Sequence, residues 1–302
     1  MRQRMAAADW GLLGLLSLLW GGSFFFTAVA VRELPAFTIV ALRVGIAALA
    51  LLAVLVLRGR RLPWSRPFLA ACLGMGILNN IVPFCLIVTG QGWIASGLAA
   101  ILNATTPLFA VIVGHVATDD EKASPLRLAG VVVGFLGVAL MLGPALASAE
   151  DRPLGMVLVL GAAFSYACAG VFGRRFRRMG VAPSVAATGQ ICAAALLMLP
   201  LALVVDRPWT LPLPGAGTMA AILGAGLLST ALAYALYFRI LQVSGATNVS
   251  LVTFLIPVSA IVLGAIFLGE SVEFRHLAGM ALIGAGLAAI DGRLLSRSLA
   301  KY

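Results

Sequence analysis

Apolar residues fall in long runs along the chain, each close to the 20 or so residues that a helix needs to cross a bilayer, with charges, Pro or Gly between them. Ten runs are legible. The first five span Trp10 to Val31, Ala36 to Leu57, Phe68 to Thr89, Trp93 to Val116 and Leu126 to Leu146. The second five span Leu154 to Gly173, Ser184 to Val205, Ala216 to Ile240, Ala246 to Leu268 and Leu277 to Leu295. Only Gly90-Gln91-Gly92 separates the third run from the fourth, so those two helices should be antiparallel neighbours. The first run follows Arg2 and Arg4 and resembles a secretory leader, but it is longer than the usual leader core of about 7 to 15 residues, which favours a retained helix.

Polar residues inside the runs repeat. Gly97 to Gly114 carries Asn103, Thr105, Thr106 and Pro107 at its middle, and a shift of 150 positions lays Thr253 on Asn103, Pro257 on Pro107 and Gly264 on Gly114. The same shift pairs Gly74 with Gly224, Gly76 with Gly226 and Leu86 with Leu236. One inserted residue then changes it to 149, matching Glu121 with Glu270, Gly130 with Gly279 and Gly137 with Gly286. Isolated matches of Gly and Leu would be chance; proline, a Gly-x-Gly and an acid in the same order indicate duplication. Each half holds five runs, an odd number, so tandem copies would have opposite membrane orientation, as in secondary transporters built from inverted repeats. The expected fold is therefore an all-α integral membrane protein of ten transmembrane helices in two inverted repeats, residues 1–147 and 153–302.

Composition agrees. Of 302 residues, 62% are hydrophobic and 11% charged, with mean hydropathy +1.07, against about 25% charged in soluble proteins. The net charge of +10 comes from short basic clusters between runs, without the aromatic interleaving of a nucleic-acid surface, so the expected partners are lipid and a small-molecule substrate and not nucleic acid. With the N-terminus inside, the cytoplasmic side collects most of the 21 basic residues, among them Arg58, Arg60, Arg61, Arg66 and the cluster Arg174 to Arg178. Both termini of this multi-pass protein should then be cytoplasmic. Cys72, Cys85, Cys168 and Cys192 lie within runs and lack metal-ligand spacing, so no metal, cofactor or disulfide framework is implied. Sequence gives no oligomeric state.

Helical spacing sorts the candidate chemistry. Ser96, Ala100, Asn103 and Pro107 share one helix face, repeated by Ala246, Ser250, Thr253 and Pro257. Gly76, Asn79, Asn80 and Pro83 cluster in the third run, echoed by Gly226, Ser229, Thr230 and Ala233 in the eighth, where Tyr234 and Tyr237 follow. Small polar residues also serve ordinary helix packing, at about 0.6–2 kcal/mol per interhelical bond, but two adjacent amides are hard to satisfy by packing alone. Arg43 lies about two turns inside the second run; it either snorkels outwards or binds backbone carbonyls, or it attracts an anionic group such as a carboxylate. His115 reads as structural. Trp20 and Tyr166 either line a cavity or pack its walls. All eleven acidic residues fall in loops or at run ends, which removes the deep carboxylate of many proton-driven carriers and the acids an intramembrane enzyme would use.

The chain resembles the EamA branch of the drug/metabolite transporter superfamily over nearly its whole length. The residues that carry the resemblance are Trp20-Gly21-Gly22-Ser23-Phe24, Ala41-Leu42-Arg43 and Pro107, then Pro257, Leu268-Gly269-Glu270, Gly279 and Gly286. Tyr166 stands where the second repeat often has tryptophan, and Thr118 to Lys122 replaces a compact Gly-Glu turn. The resemblance implies an inner-membrane carrier that exports amino acids or similar metabolites, or alternatively amphiphilic drugs and toxic cations, by alternating access; the lack of deep acids argues against an enzyme, and a membrane enzyme and a non-transporting scaffold rank as the lesser alternatives. The expected substrate-binding residues are Trp20, Ser23, Arg43, Asn79, Asn80, Asn103, Thr106, Tyr166, Tyr234, Tyr237 and Thr253, with Pro107 and Pro257 as hinges and Glu121 and Glu270 as structural anchors.

Overall fold

The computed structural model describes residues 7–119, 122–146, 152–244, 249 and 251–291. Glu121, Ala246, Thr247, Ser250 and the terminal basic residues lie outside the described residues. Among the described residues every regular element is helical. Eight helices are long and apolar enough to cross a membrane: α1 (Asp9–Ala30), α2 (Ala36–Leu57), α3 (Arg66–Gly90), α4 (Ser96–Ala117), α5 (Pro125–Leu142), α6 (Pro153–Arg178), α7 (Pro183–Val205) and α8 (Ala216–Val243). Two shorter apolar helices follow, α9 (Val252–Leu268) and α10 (Phe274–Ile290). Many of the largest apolar side chains, such as Leu49, Leu196 and Leu136, stay exposed on the outside of the bundle, as expected of a surface that meets hydrocarbon.

Three acidic side chains reach from one half of the sequence to helix N-termini in the other. Asp206 accepts from the amide and the hydroxyl of Thr38 at 2.6 and 2.8 Å, in the first turn of α2. Glu33 accepts from the Gly215 amide just before α8 at 2.6 Å. Glu270 accepts from the Ser96 amide, the Ser96 hydroxyl and the Gly97 amide at 2.8, 2.8 and 3.2 Å. The first N–H groups of a helix have no partner within it and carry positive partial charge, so a carboxylate is the group that suits them. Ser96 therefore caps α4 through Glu270 and does not share an open face with Asn103, because an unpaired N-terminus is the stronger demand.

Small residues let the halves interlock. A Cβ on Gly130 would fall 2.6 Å from Gly286 O, and one on Gly137 would fall 2.6 Å from Gly279 O, so α5 and α10 touch backbone to backbone at both points. Gly226 of α8 lies against Ile46 and Arg43 O of α2, while Gly76 of α3 lies against Gln190 O and Ala193 of α7. Gly74 faces the Phe172 ring, and Gly224 the Phe26 ring. Gly286→Ala puts a methyl against Gly130 O and 2.8 Å from Gly134 N, where only main chain could yield. Its expected cost is about 1–3 kcal/mol from overpacking. At Gly170, with nothing within 4 Å of a Cβ, the same change should be neutral or stabilise by up to about 1 kcal/mol. Equal melting temperatures for the two variants in detergent would refute the interlock.

Irregular turns fall at the polar clusters of α3, α4 and α8, and a further π turn, Gly264–Leu268, ends α9 beside Glu270. α3 widens into a π turn at Ile77–Ile81 and α8 into one at Gly224–Leu232. α4 breaks at Ala104–Thr105, between Ser96–Asn103 and Thr106–Ala117. Pro107 causes the break, since its ring clashes with the carbonyl of Asn103 and it has no N–H to donate. The freed carbonyls find hydroxyls instead: Thr106 donates to Asn103 O at 2.7 Å and Thr105 to Leu102 O at 2.6 Å. Pro257 sits inside the continuous stretch Val252–Leu263, so the two prolines occupy different local structures.

Candidate functional site

The π turns of α3 and α8 bring polar residues from both halves of the chain to one buried centre. A π turn carries one extra residue per hydrogen-bonded ring, and it shifts the faces of the helix on either side. In α3 it holds Asn79 and Asn80. In α8 it holds Ser229 and Thr230, with Tyr234 one turn beyond. The Tyr234 hydroxyl accepts from Asn79 Nδ2 at 3.1 Å and from Gln190 Nε2 of α7 at 3.5 Å, and donates to Asn80 Oδ1 at 3.3 Å. Three side chains on α3 and α7 thus meet at one phenol of α8. Ser165 of α6 steadies the α3 turn by donating to Leu78 O at 2.7 Å.

Arg43 forms the charged edge of this centre. Its side chain is buried at 6% exposure, its Nε donates to Thr230 Oγ1 at 3.0 Å, and its guanidinium lies over the Phe84 ring at 3.9 Å from the centroid. Thr230 in turn donates to Ala225 O at 2.8 Å, which leaves its lone pairs for the arginine. The phenols of Tyr166 and Tyr234 are within electrostatic reach of the guanidinium. No carboxylate pairs with Arg43 among the described residues. Arg43 does not snorkel outwards, and no carbonyl binds it among the described residues: a hydroxyl from α8 and an aromatic face from α3 hold it inside the protein. The cation–π contact offsets part of its desolvation, but an unpaired buried charge remains costly.

A second, aromatic group adjoins the first. Tyr237, three residues after Tyr234 on the same helix face, packs against Trp20 of α1 with ring centroids 5.6 Å apart, and Phe238 links the two tyrosines. Of the remaining residues read from sequence, Ser23 and Thr253 are half-buried on α1 and α9, and no side-chain hydrogen bond joins them to the Tyr234 centre among the described residues. Thr106 spends its proton on the α4 break. Asn103 ends the first segment of α4 with its Oδ1 buried and unpartnered.

A profile of the EamA-like transporter family matches residues 10–143 and again residues 153–290. The chain belongs to that family. The uncharacterized transporter YoaV of Bacillus subtilis is 25% identical over 282 residues, 91% of this chain and 94% of that one. The uncharacterized inner membrane transporter YedA of Escherichia coli is 28% identical over 275 residues, 90% of this chain and 87% of that one. A probable amino-acid metabolite efflux pump of Salmonella typhimurium is 25% identical over 299 residues, 94% of each. A solved crystal structure shares the fold at TM-score 0.66 and 21% identity, over 97% of this chain and 99% of that one.

As an EamA-like transporter the chain is a multi-pass membrane protein that carries a small molecule. The sequence reading named Asn79, Asn80, Tyr166, Tyr234 and Arg43, which the fold gathers around the π turns, but it missed Gln190 and Phe84. The signal for Gln190 was present: an amide inside an otherwise apolar run, Gly189-Gln190-Ile191-Cys192. Glu270 serves as an anchor, through its cap on α4. His115 is structural: its Nδ1 accepts from the Ala123 amide at 3.0 Å, so it closes the loop after α4.

Proposed function

We propose that this EamA-like transporter exports amino acids across the inner membrane by alternating access, through ten spans arranged as two inverted repeats, 1–147 and 153–302. The reciprocal contacts support the repeat. Gly130 corresponds to Gly279 and Gly137 to Gly286, and the touching pairs are Gly130 with Gly286 and Gly137 with Gly279. Exchange of halves turns each contact into the other, the relation that a two-fold axis between repeats requires. Gly76 on α7 and Gly226 on α2, and Gly74 on Phe172 and Gly224 on Phe26, follow the same rule. The basic loops support cytoplasmic termini. On that orientation Thr38, Asp206, Glu33, Gly215, Ser96 and Glu270 all belong to the outer side, in keeping with the contacts among them. In this conformation carboxylates link the halves at the outer ends, and rocking of the halves about the centre, with Pro107 and Pro257 yielding, would open them.

The observation that carries the substrate class is Arg43, a buried guanidinium with no carboxylate against it among the described residues. A substrate carboxylate would supply the missing charge in two-point contact, the amides of Asn79 and Asn80 would orient it, and the Trp20 and Tyr237 rings would take an apolar side chain. The Salmonella relative's name, an amino-acid metabolite efflux pump, points the same way. The test is flux in liposomes containing purified protein, offered labelled leucine, phenylalanine, threonine and cysteine beside cationic dyes, with and without a pH gradient. Saturable amino-acid flux that Asn79→Ala and Asn80→Ala weaken is the expected result. Dye flux alone would replace this reading by efflux of amphiphilic cations, and no translocation at all would overturn both.

A further inference from the structure

We propose that Gln190 determines specificity at this site by accepting a hydrogen bond from the substrate's ammonium group, opposite the carboxylate that Arg43 holds. The inference rests on the amino-acid reading above and adds to it a residue and a direction for the bound molecule.

The reciprocal packing identifies the residue. Gly226 lies on Arg43 O and Ile46, and its counterpart Gly76 lies on Gln190 O and Ala193. Exchange of the halves therefore carries Arg43 onto Gln190, and Thr230, the partner of Arg43, onto Asn80. The corresponding bond, Gln190 to Asn80, is not made. Gln190 turns its Nε2 to the Tyr234 hydroxyl instead, and Gln190 Oε1 and Asn80 Nδ2 are both left buried without a partner. Gln190 is 5% exposed and Asn80 fully buried.

Counting bonds shows that the Tyr234 hydroxyl cannot take up these atoms. A phenol offers one proton and two lone pairs; Tyr234 gives its proton to Asn80 and takes protons from Asn79 and Gln190, so it is full. An orphan acceptor and an orphan donor then remain on the partners of Tyr234, the phenol within electrostatic reach of Arg43. Orphan amide atoms in a low-dielectric interior each bear the desolvation penalty of an unmade hydrogen bond, a cost that a ligand with matching groups removes. The acceptor suits an ammonium, and the donor together with Arg43 suits a carboxylate. An α-amino acid carries both on one carbon. The duplication thus produced equivalent positions, and their divergence to a cation in one half and a neutral acceptor in the other makes the site polar end to end.

The experiment uses full-length protein in liposomes and the fastest-carried of leucine, phenylalanine, threonine and cysteine, compared with its N-acetyl derivative, which has a carboxylate but no ammonium. Wild-type protein should prefer the free amino acid. Gln190→Leu should raise KM for it at least tenfold and erase the preference, the effect of losing one buried bond to a charged group. Gln190→Glu, nearly the same shape, should admit the decarboxylated amine as a competitor, because its carboxylate neutralises Arg43. If Gln190→Leu does not fold, Gln190→Glu alone decides. Wild-type KM values and undiminished preference in the folded variants would overturn the role of Gln190 and leave amino-acid export standing. Absence of amino-acid flux in wild-type protein would overturn both.

Discussion

Arg43→Met is expected to cut amino-acid transport severely while leaving the protein at least as stable as wild type. The two effects have one cause. Arg43 is 6% exposed, with one hydrogen bond to Thr230, one aromatic face from Phe84 and no carboxylate against it among the described residues. Without substrate the guanidinium is a buried charge with only partial compensation; apolar replacement of buried ion pairs is often neutral or stabilising, by about 1–4 kcal/mol, and a charge that lacks a carboxylate partner has less still to lose. The hydroxyl it leaves behind keeps its own bond to Ala225 O. With substrate the same charge would hold a carboxylate in a water-poor site, where loss of one partner costs about 2–5 kcal/mol. At about 1.4 kcal/mol per factor of ten, kcat/KM should fall by at least thirtyfold. Flux in liposomes and melting temperature in detergent, read on the same preparation, check both halves. A variant that transports normally would remove the substrate assignment. One that melts well below wild type would show Arg43 to be a packing residue instead.

Arg43→Lys separates charge from shape. An ammonium is a point charge without the planar fork, so it cannot lie over Phe84, donate to Thr230 and present two donors to a carboxylate together. Partial flux with a raised KM is the expected result.

How much of this was legible in the sequence follows from what each residue requires. A single cation inside an apolar run is conspicuous, and Arg43 could be picked out; whether it reached lipid headgroups or a protein interior depended on α3 and α8, which the run itself does not encode. Asn79 and Asn80 stood out as adjacent amides. Neighbours on an α-helix point about 100° apart, so the convergence of both on Tyr234 depends on the π turn, and one extra residue in a turn leaves no periodic mark. Gln190 is hidden because the shift that aligns α3 with α8 does not extend to α2 and α7. The shift is 150 between α3 and α8 but 147 between Arg43 and Gln190, and loops of unequal length hide that correspondence until Gly76 and Gly226 reveal it. The candidate hinges were visible as prolines, yet the break in α4 and the continuity of α9 were not, since Thr105 and Thr106 repair the one and differ from their counterparts in the other.

Glu270→Ala should destabilise the fold more than loss of any other acidic residue whose contacts are described. Its two oxygens serve three donors, and two of these are the first amides of α4, which no carbonyl of their own helix can reach. Ser96 is fully buried, so water cannot replace the carboxylate without opening the joint between α4 and α9. Gly264 confirms how closely the group is seated: a Cβ there would collide with Glu270 Oε2 and lie 2.9 Å from Ser96 Oγ. With hydrogen bonds to charged groups worth about 1.5–3 kcal/mol each before competition among them, the expected loss is roughly 2–4 kcal/mol. Glutamine should rescue little, because its NH₂ would face an amide N–H where an acceptor is needed. Glu273, which pairs with Arg275 at an exposed site, provides the contrast: its alanine variant should cost no more than about 1 kcal/mol. Thermal melting ranks the variants, and amide hydrogen exchange at Ser96 and Gly97 locates the damage, with exchange at least tenfold faster in Glu270→Ala and unchanged in Glu273→Ala. Equal protection of those two amides with and without Glu270 would mean that α4 holds its own N-terminus, and the carboxylate would then be no anchor between the halves.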